Sequence, residues 1–182
     1  RELIFKSRVE NISQYCEENN INHKNVIDVG AGYGIFLEEW KKIHEDDNIY
    51  ALEPGEKLAN ICRSKNIETL EKFSENAQEW HSKADLVTCF EVIEHVYSPL
   101  EFIKSLKMLT KKKGQVLISG LSGDGFDIQL LKKESNSVSP PHHLNFISIE
   151  GFEIMFKEAG YDNINIITPG KLDFDIVKNS MN

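Results

Sequence analysis

Val26-Ile27-Asp28-Val29-Gly30-Ala31-Gly32-Tyr33-Gly34 is a β-branched run that stops on three alternating glycines. A short apolar run bounded by turn residues reads as a buried strand. Ile35, Phe36, Trp40 and Ile43 follow at helical spacing,. A strand that passes through a glycine loop into a helix is the first half of a βαβ unit. Glycine lets a ligand lie on bare backbone at the carboxyl end of the strand, beside a helix N-terminus. A second strand, Ile49-Tyr50-Ala51-Leu52, ends in Glu53, 19 residues past Gly34. A carboxylate at that place can accept both hydroxyls of a ribose. The spacing here is G-x-G-x-G with isoleucine at position 35, so the dinucleotide fingerprint G-x-G-x-x-G is not met. Asp28, inside the strand, disfavours a nearby pyrophosphate and suits a cationic or hydrogen-bond-donating ligand. A P-loop pattern is absent.

The same alternation runs outward from this stretch. Phe5, Val9, Ile12 and Cys16 predict an amphipathic helix over 2–19,. Leu58, Ile61 and Cys62 mark a helix, residues 67–70 a weak strand and residues 85–90 a strong one. Ser98-Pro99-Leu100-Glu101 is a helix start in which Glu101 can complete a capping box. Phe102, Ile103, Leu106 and Leu109 supply that helix's buried face, and Lys111-Lys112-Lys113-Gly114 reads as its solvated end, favourable to the helix dipole,. Residues 115–119 form a further strand. Strands alternating with helices argue for a parallel sheet of βαβ units, an α/β fold in a single domain over 1–182. The rhythm breaks over 120–147, a Gly-, Ser- and Pro-bearing stretch with one short helix at 126–133. A long irregular segment of this kind is either functional or disordered, and here it is expected to cap the site. Ser148 to Ala159 is a helix stopped by Gly160. Pro169-Gly170 between two apolar runs, 164–168 and 172–177, predicts an antiparallel hairpin.

The chain has 182 residues, enough for one cored domain,. Its net charge of −8 disfavours a phosphate backbone as partner,. Three widely spaced cysteines without C-x-x-C support neither a disulfide framework nor a zinc knuckle, and fit a reduced, cytoplasmic setting,. No apolar run is long enough for a membrane span. Residue 1 is Arg with no leader pattern behind it, which reads as an excerpt of a longer chain,.

Taken together, the motifs resemble one family. Asp28-x-Gly30-x-Gly32-x-Gly34 is similar to the first motif of class I S-adenosylmethionine-dependent methyltransferases, and Glu53 to that family's ribose-binding acid. Residues 85–96, Asp-Leu-Val-Thr-Cys-Phe-Glu-Val-Ile-Glu-His-Val, resemble the fourth-strand motif of the small-molecule branch that includes ubiquinone-biosynthesis O-methyltransferases. Residues 113–118 and Pro141-His142-His143-Leu144-Asn145-Phe146 resemble later parts of the same branch. The resemblance implies a Rossmann-like, doubly wound, seven-stranded, mostly parallel sheet with an antiparallel C-terminal hairpin. It implies S-adenosylmethionine as cofactor and a small-molecule acceptor, with methyl transfer to a hydroxyl oxygen. Thr168 to Asp173 is similar to methyltransferases found with surface-polysaccharide genes, which makes a sugar or sugar nucleotide a candidate acceptor.

By position, the resemblance assigns Gly30, Gly32 and Gly34 to the methionine and ribose portions of the cofactor. It assigns Asp28 to the amino-acid end, Glu53 to the ribose hydroxyls, and Phe90 and Glu91 to the methionine and sulfonium. Phe73, Ser74 and Ala77 are candidates for adenine. His95 stands four residues past Glu91, one helical turn on, and is read either as a general base or as a loop-fixing hydrogen-bonder. Glu94 reads as a supporting acid. Of the adjacent His142 and His143, one can point inward, and His143 is the second catalytic candidate. No acid accompanies them at ligand spacing, so metal binding is not expected there. The rival readings are an NAD-dependent oxidoreductase or sugar-nucleotide enzyme, and a non-catalytic cofactor-binding module. Oligomeric state is not encoded in these motifs.

Overall fold

A computed structural model describes residues 2–168. Five strands form one sheet in the order β3-β2-β1-β4-β5, where β1 is Asn25–Val29, β2 Asn48–Leu52, β3 Glu68–Leu70, β4 Ala84–Phe90 and β5 Thr110–Ser119. The β1–β2, β1–β4 and β2–β3 pairings are parallel, with Val29 opposite Leu52 on one side and Cys89 on the other. The helices are α1 (Glu2–Glu18), α2 (Ile35–Ile43), α3 (Glu56–Ser64), α4 (Pro99–Leu109), α5 (Phe126–Leu131) and α6 (Ile149–Glu158). The result is the Rossmann-like α/β architecture, with the chain reversing its direction of winding between β1 and β4. In such sheets a ligand binds outside the carboxyl ends of the strands at that reversal.

The described residues fall into two compact units. The first runs up to Phe90 and resumes over Ser105–Ile118; the second comprises Glu91–Lys104 and the chain from Ser119 onward. In the first unit, Val9, Ile12 and Cys16 of α1 pack in one cluster with Phe36, Leu37 and Trp40 of α2 and Val26, Ala51 and Leu86 of the sheet. Leu37 and Trp40 are fully enclosed, and burying each such side chain stabilises the fold by about 1.5–3 kcal/mol. β1 and β4 are buried at nearly every position because both of their faces are covered,. Cys16, Cys62 and Cys89 are buried and unbridged.

In the second unit the segment after β4 is held by backbone and side-chain hydrogen bonds. The Leu144 N–H donates to Glu94 O at 2.7 Å. Asn145 Nδ2 donates to Val96 O at 2.6 Å and Ile93 O at 3.2 Å. Helix α6 starts on the Ser148 hydroxyl, which accepts from the Gly151 N–H at 3.0 Å, and the chain turns out of it at Gly160 with φ 83. α5 is shorter than predicted and gives way to a 3-10 turn over Lys132–Glu134. The rest of 120–147 is irregular, as expected.

Three expectations change. The lysine run does not end α4. The helix stops at Leu109, and Thr110–Lys113 already belong to β5. The reason is Asp85 on the neighbouring strand. Its carboxylate accepts from the Asn25 N–H at 3.0 Å and from Lys111 Nζ at 2.9 Å, so Lys111 is drawn to the sheet edge. Burial works against that charge, but the bonds from Asn25 and Lys111 outweigh it and hold the Asp85 pKa low. Glu101 pairs with Lys104 at 2.8 Å on the surface of α4 rather than closing a capping box. Residues 164–168 carry no strand, and the remainder of the predicted hairpin lies outside the described residues. Five strands are therefore described, against the seven that the resemblance implies.

Candidate cofactor site and the segment after the fourth strand

The glycine loop is built from left-handed backbone: φ is 72 at Gly30, 56 at Gly32 and 70 at Gly34. Two of these glycines are required for different reasons. At Gly32 a Cβ would meet nothing within 4 Å, so the backbone faces open space. At Gly34 a Cβ would stand 3.0 Å from Ile67 Cδ1 and 3.1 Å from Cys62 Sγ, so this glycine serves the packing of the loop. Packing against Ile67 and Cys62 thus requires glycine at position 34 independently of any ligand.

Glu53, at the end of β2, is 7% exposed. Its Oε2 accepts the Gly32 N–H at 2.8 Å and its Oε1 accepts the Gly55 N–H at 2.9 Å. Two backbone donors fix the carboxylate plane next to the open backbone of Gly32. Each oxygen keeps further acceptor capacity, which is what a pair of ribose hydroxyls needs. Asp28, in β1, is almost fully buried and accepts from the Thr88 hydroxyl at 2.8 Å. Burial pushes its carboxyl up to about 7 against the pull of the Thr88 bond and the Arg8 charge. A buried carboxyl so placed gains from an incoming cation.

Phe90, the last residue of β4, packs against Phe36 with ring centroids 4.8 Å apart. The Arg8 guanidinium lies 4.4 Å from the Phe90 ring centroid and 5.4 Å from that of Phe5. The cation on Phe90 in this structure is therefore a side chain of α1. Arg8 was not singled out from the sequence, although a signal existed: it borders the apolar stripe of Phe5, Val9 and Ile12 instead of lying opposite it. Of the adenine candidates, Phe73 is exposed, Ala77 is buried, and the buried Ser74 hydroxyl is engaged by Ser105 at 2.6 Å. Open Gly32, anchored Glu53 and buried Asp28 fit a nucleoside that carries a cationic end.

In the second unit, Glu91 adopts φ 55, and its carboxylate accepts from the Ser119 hydroxyl at 2.7 Å. The stretch to His95 is a turn, with the His95 N–H on Val92 O at 2.8 Å, and not the helical turn that the four-residue spacing suggested. The left-handed start at Glu91 prevents a helix from continuing there. His95 Nδ1 lies 2.6 Å from His142 O, and His143 Nδ1 lies 2.6 Å from Ser137 O. A carbonyl can only accept, so both rings carry their proton on Nδ1. In the neutral form of each ring, Nε2 is then the nitrogen that carries the lone pair. The two rings stand 4.9 Å apart. Glu94 is 2% exposed, and its Oε2 has no hydrogen-bond partner among the described residues. Burial first, then the charge of Glu91, raises its pKa.

Comparison with known proteins is consistent with this geometry. Residues 3–166 match the family described as "Methyltransferase domain". The ubiquinone biosynthesis O-methyltransferase of Vibrio cholerae is 34% identical over 111 residues, covering 57% of this chain and 44% of that protein. The protein of the same name from Hydrogenovibrio crunogenus is 30% identical over 122 residues, covering 63% of this chain and 48% of its own length. The chain thus spans about half the length of these curated relatives. Among solved structures, the plantazolicin methyltransferase BpumL in complex with SAH superposes with a TM-score of 0.70 at 17% identity, over 87% of this chain and 64% of that one. A SAM-dependent methyltransferase from Archaeoglobus fulgidus does so with a TM-score of 0.70 at 15% identity, over 98% and 84%. At these identities the structural likeness speaks for the fold alone. No helix among the described residues is long and apolar enough to cross a membrane.

Proposed function

Because the chain belongs to the class I S-adenosylmethionine-dependent methyltransferase family, we propose that it transfers a methyl group to a hydroxyl oxygen of a small-molecule acceptor. The observation that carries this reading is the Glu53 carboxylate, pinned by the Gly32 and Gly55 N–H groups beside the open backbone of Gly32. When bound, S-adenosylmethionine supplies an electrophilic methyl group on a sulfonium. Glu53 accepts the ribose hydroxyls. The amino-acid end of the cofactor carries both an ammonium and a carboxylate, and the first unit offers a matching pair in Asp28 and Arg8. Phe90 and Glu91 suit the sulfonium by their aromatic face and negative charge.

An alcohol is a poor nucleophile until its proton leaves. His95, with a lone pair on Nε2, is the group we assign to take it, a contribution of ~10²–10⁴-fold. His143, beside it, is the second candidate for that work. The relatives named for O-methyl transfer support the choice of oxygen. The acceptor class we favour is a sugar or sugar nucleotide, and the setting cytoplasmic.

Calorimetric titration with S-adenosylhomocysteine and with NAD tests the cofactor: binding of the first and not the second is expected, and the reverse overturns the reading. His95→Ala should then cut turnover while leaving affinity for S-adenosylhomocysteine within about threefold, under ~1 kcal/mol. A collapse of both would make His95 a residue that holds its turn together.

A further inference from the structure

A cluster of side chains with potential metal-ligand atoms lies in the first unit, at the amino ends of β1 and β2, opposite the glycine loop. His23 stands two residues before β1, and Asp47 immediately before β2. The parallel register that places Asn25 opposite Asn48 brings them together. His44, at the C-terminus of α2, completes the group. One potential ligand atom from each of the three residues lies within 4.8 Å of the others. His23 Nδ1 and Asp47 Oδ2 are 2.6 Å apart, and the His23 and His44 rings are 4.4 Å apart.

We propose that His23, His44 and Asp47 form a site for a divalent transition-metal ion, Zn²⁺ in the first instance. Two imidazoles and a carboxylate are a donor set suited to zinc, with the fourth position left to water. Zinc bonds of about 2.0–2.2 Å place tetrahedral ligand atoms about 3.3–3.6 Å apart. The three groups reach that spacing by shifts of about an ångström in side chains at the ends of elements. Two of the three ligands already have an orienting partner outside the group. The Ser13 hydroxyl bonds His44 Nε2 at 2.9 Å, and Trp40 Nε1 donates to Asp47 Oδ2 at 3.1 Å. Bonds of this kind fix the rings and carboxylates around metal ions. Access exists: His44 and Asp47 lie in the wall of an open cavity of about 520 Å³, with Glu45 and Asp46 beside them.

Hydrogen bonding alone is the simpler account of His23 and Asp47. His44 is held beside them by the Ser13 hydroxyl and by the Trp40 ring, with centroids 4.6 Å apart, so all three donors are already gathered at one place. The opposing charges are Lys41, whose Nζ donates to the Asp47 carbonyl at 2.6 Å, and Lys24, whose Nζ is 3.9 Å from Asp47 Oδ1. Lys24 is half exposed and also reaches the Asp46 carbonyl, so the metal would replace an ammonium that has another partner. Binding here would join α1, α2 and the entry to both strands, a structural role independent of methyl transfer.

The test uses the full chain after chelator treatment. Titration with Zn²⁺ should give one site per chain and a raised melting temperature. Co²⁺ should give the visible absorption of a low-symmetry nitrogen and oxygen site. His44→Gln should weaken Zn²⁺ binding at least about tenfold, and Ser13→Ala, which spares every ligand, by about tenfold. Both variants should bind S-adenosylhomocysteine as the parent does, which also shows that they are folded. No one-to-one binding by the parent chain overturns the proposal. So does unchanged affinity in folded His44→Gln, or a sulfur-to-cobalt charge-transfer band, which would place the ion on cysteine.

Discussion

Glu53 does two jobs with one carboxylate. It closes the loop around Gly32 and Gly55, and it presents acceptors to whatever lies on that loop. Glu53→Gln should weaken S-adenosylhomocysteine binding by ~1.5–3 kcal/mol, the loss of a charge-assisted pair. Arg8→Ala should weaken it to a similar degree by calorimetry if the guanidinium meets the cofactor's carboxylate. Affinity equal to that of the parent chain would remove the residue in question from the site. Asp28 carries a pH signature. Its folded-state pKa of about 7 lies above the ordinary carboxyl value of 3.8. Between those values the unfolded chain releases the proton first. The contribution to stability is therefore present below about pH 4 and is lost as pH rises toward 7, by a few kcal/mol. In Asp28→Asn, thermal melts between pH 4 and 7 should lose this downward component. Parallel curves for the two proteins would show that Asp28 ionises without strain. Glu53 and Asp28 could be read from the sequence because their distances from the glycines are short and fixed by β1 and β2. Arg8 is legible only as a charge bordering the apolar stripe of α1; that it faces Phe90 is decided by the packing of that helix.

The glycine loop separates two demands that one motif conceals. Both Gly32 and Gly34 have positive φ, so an alanine at either is strained by roughly 1–2 kcal/mol. Only Gly34→Ala adds contacts near 3 Å with Ile67 and Cys62. Gly34→Ala should thus be the less stable protein in urea, by ~1–3 kcal/mol beyond Gly32→Ala. Gly32→Ala should be the weaker binder of S-adenosylhomocysteine. Equal stability of the two would mean that the neighbours of Gly34 yield freely. Elements were legible wherever apolar period and punctuation agreed, as in β1, α2 and α6. The lysine run misled because its partner, Asp85, is distant in sequence, and local charge cannot reveal which strand a lysine will reach. The turn from Glu91 to His95 was misjudged for a different reason: a four-residue spacing fits a helix, but the left-handed backbone at Glu91 rules one out.

The whole first unit rests on a sheet whose strand order follows from the alternation of strands and helices along the chain. That alternation is a property of composition over long windows, so the α/β class was readable from sequence. The His23–His44–Asp47 group was not, because it exists only through the β1–β2 register. The buried thiols extend the same point into kinetics. Burial pushes Cys16 and Cys62 up to about 11, so both stay protonated at neutral pH and react slowly,. Cys62 Sγ sits 3.3 Å from the Gly32 carbonyl, directly behind the loop. An alkylating reagent can reach it only when that loop lifts, which makes Cys62 a built-in timer of loop opening. Its modification, followed by mass spectrometry, should slow when S-adenosylhomocysteine is present, while that of Cys16 on α1 should follow global unfolding. Identical rates for Cys62 with and without the nucleoside would mean that the loop breathes as freely loaded as empty.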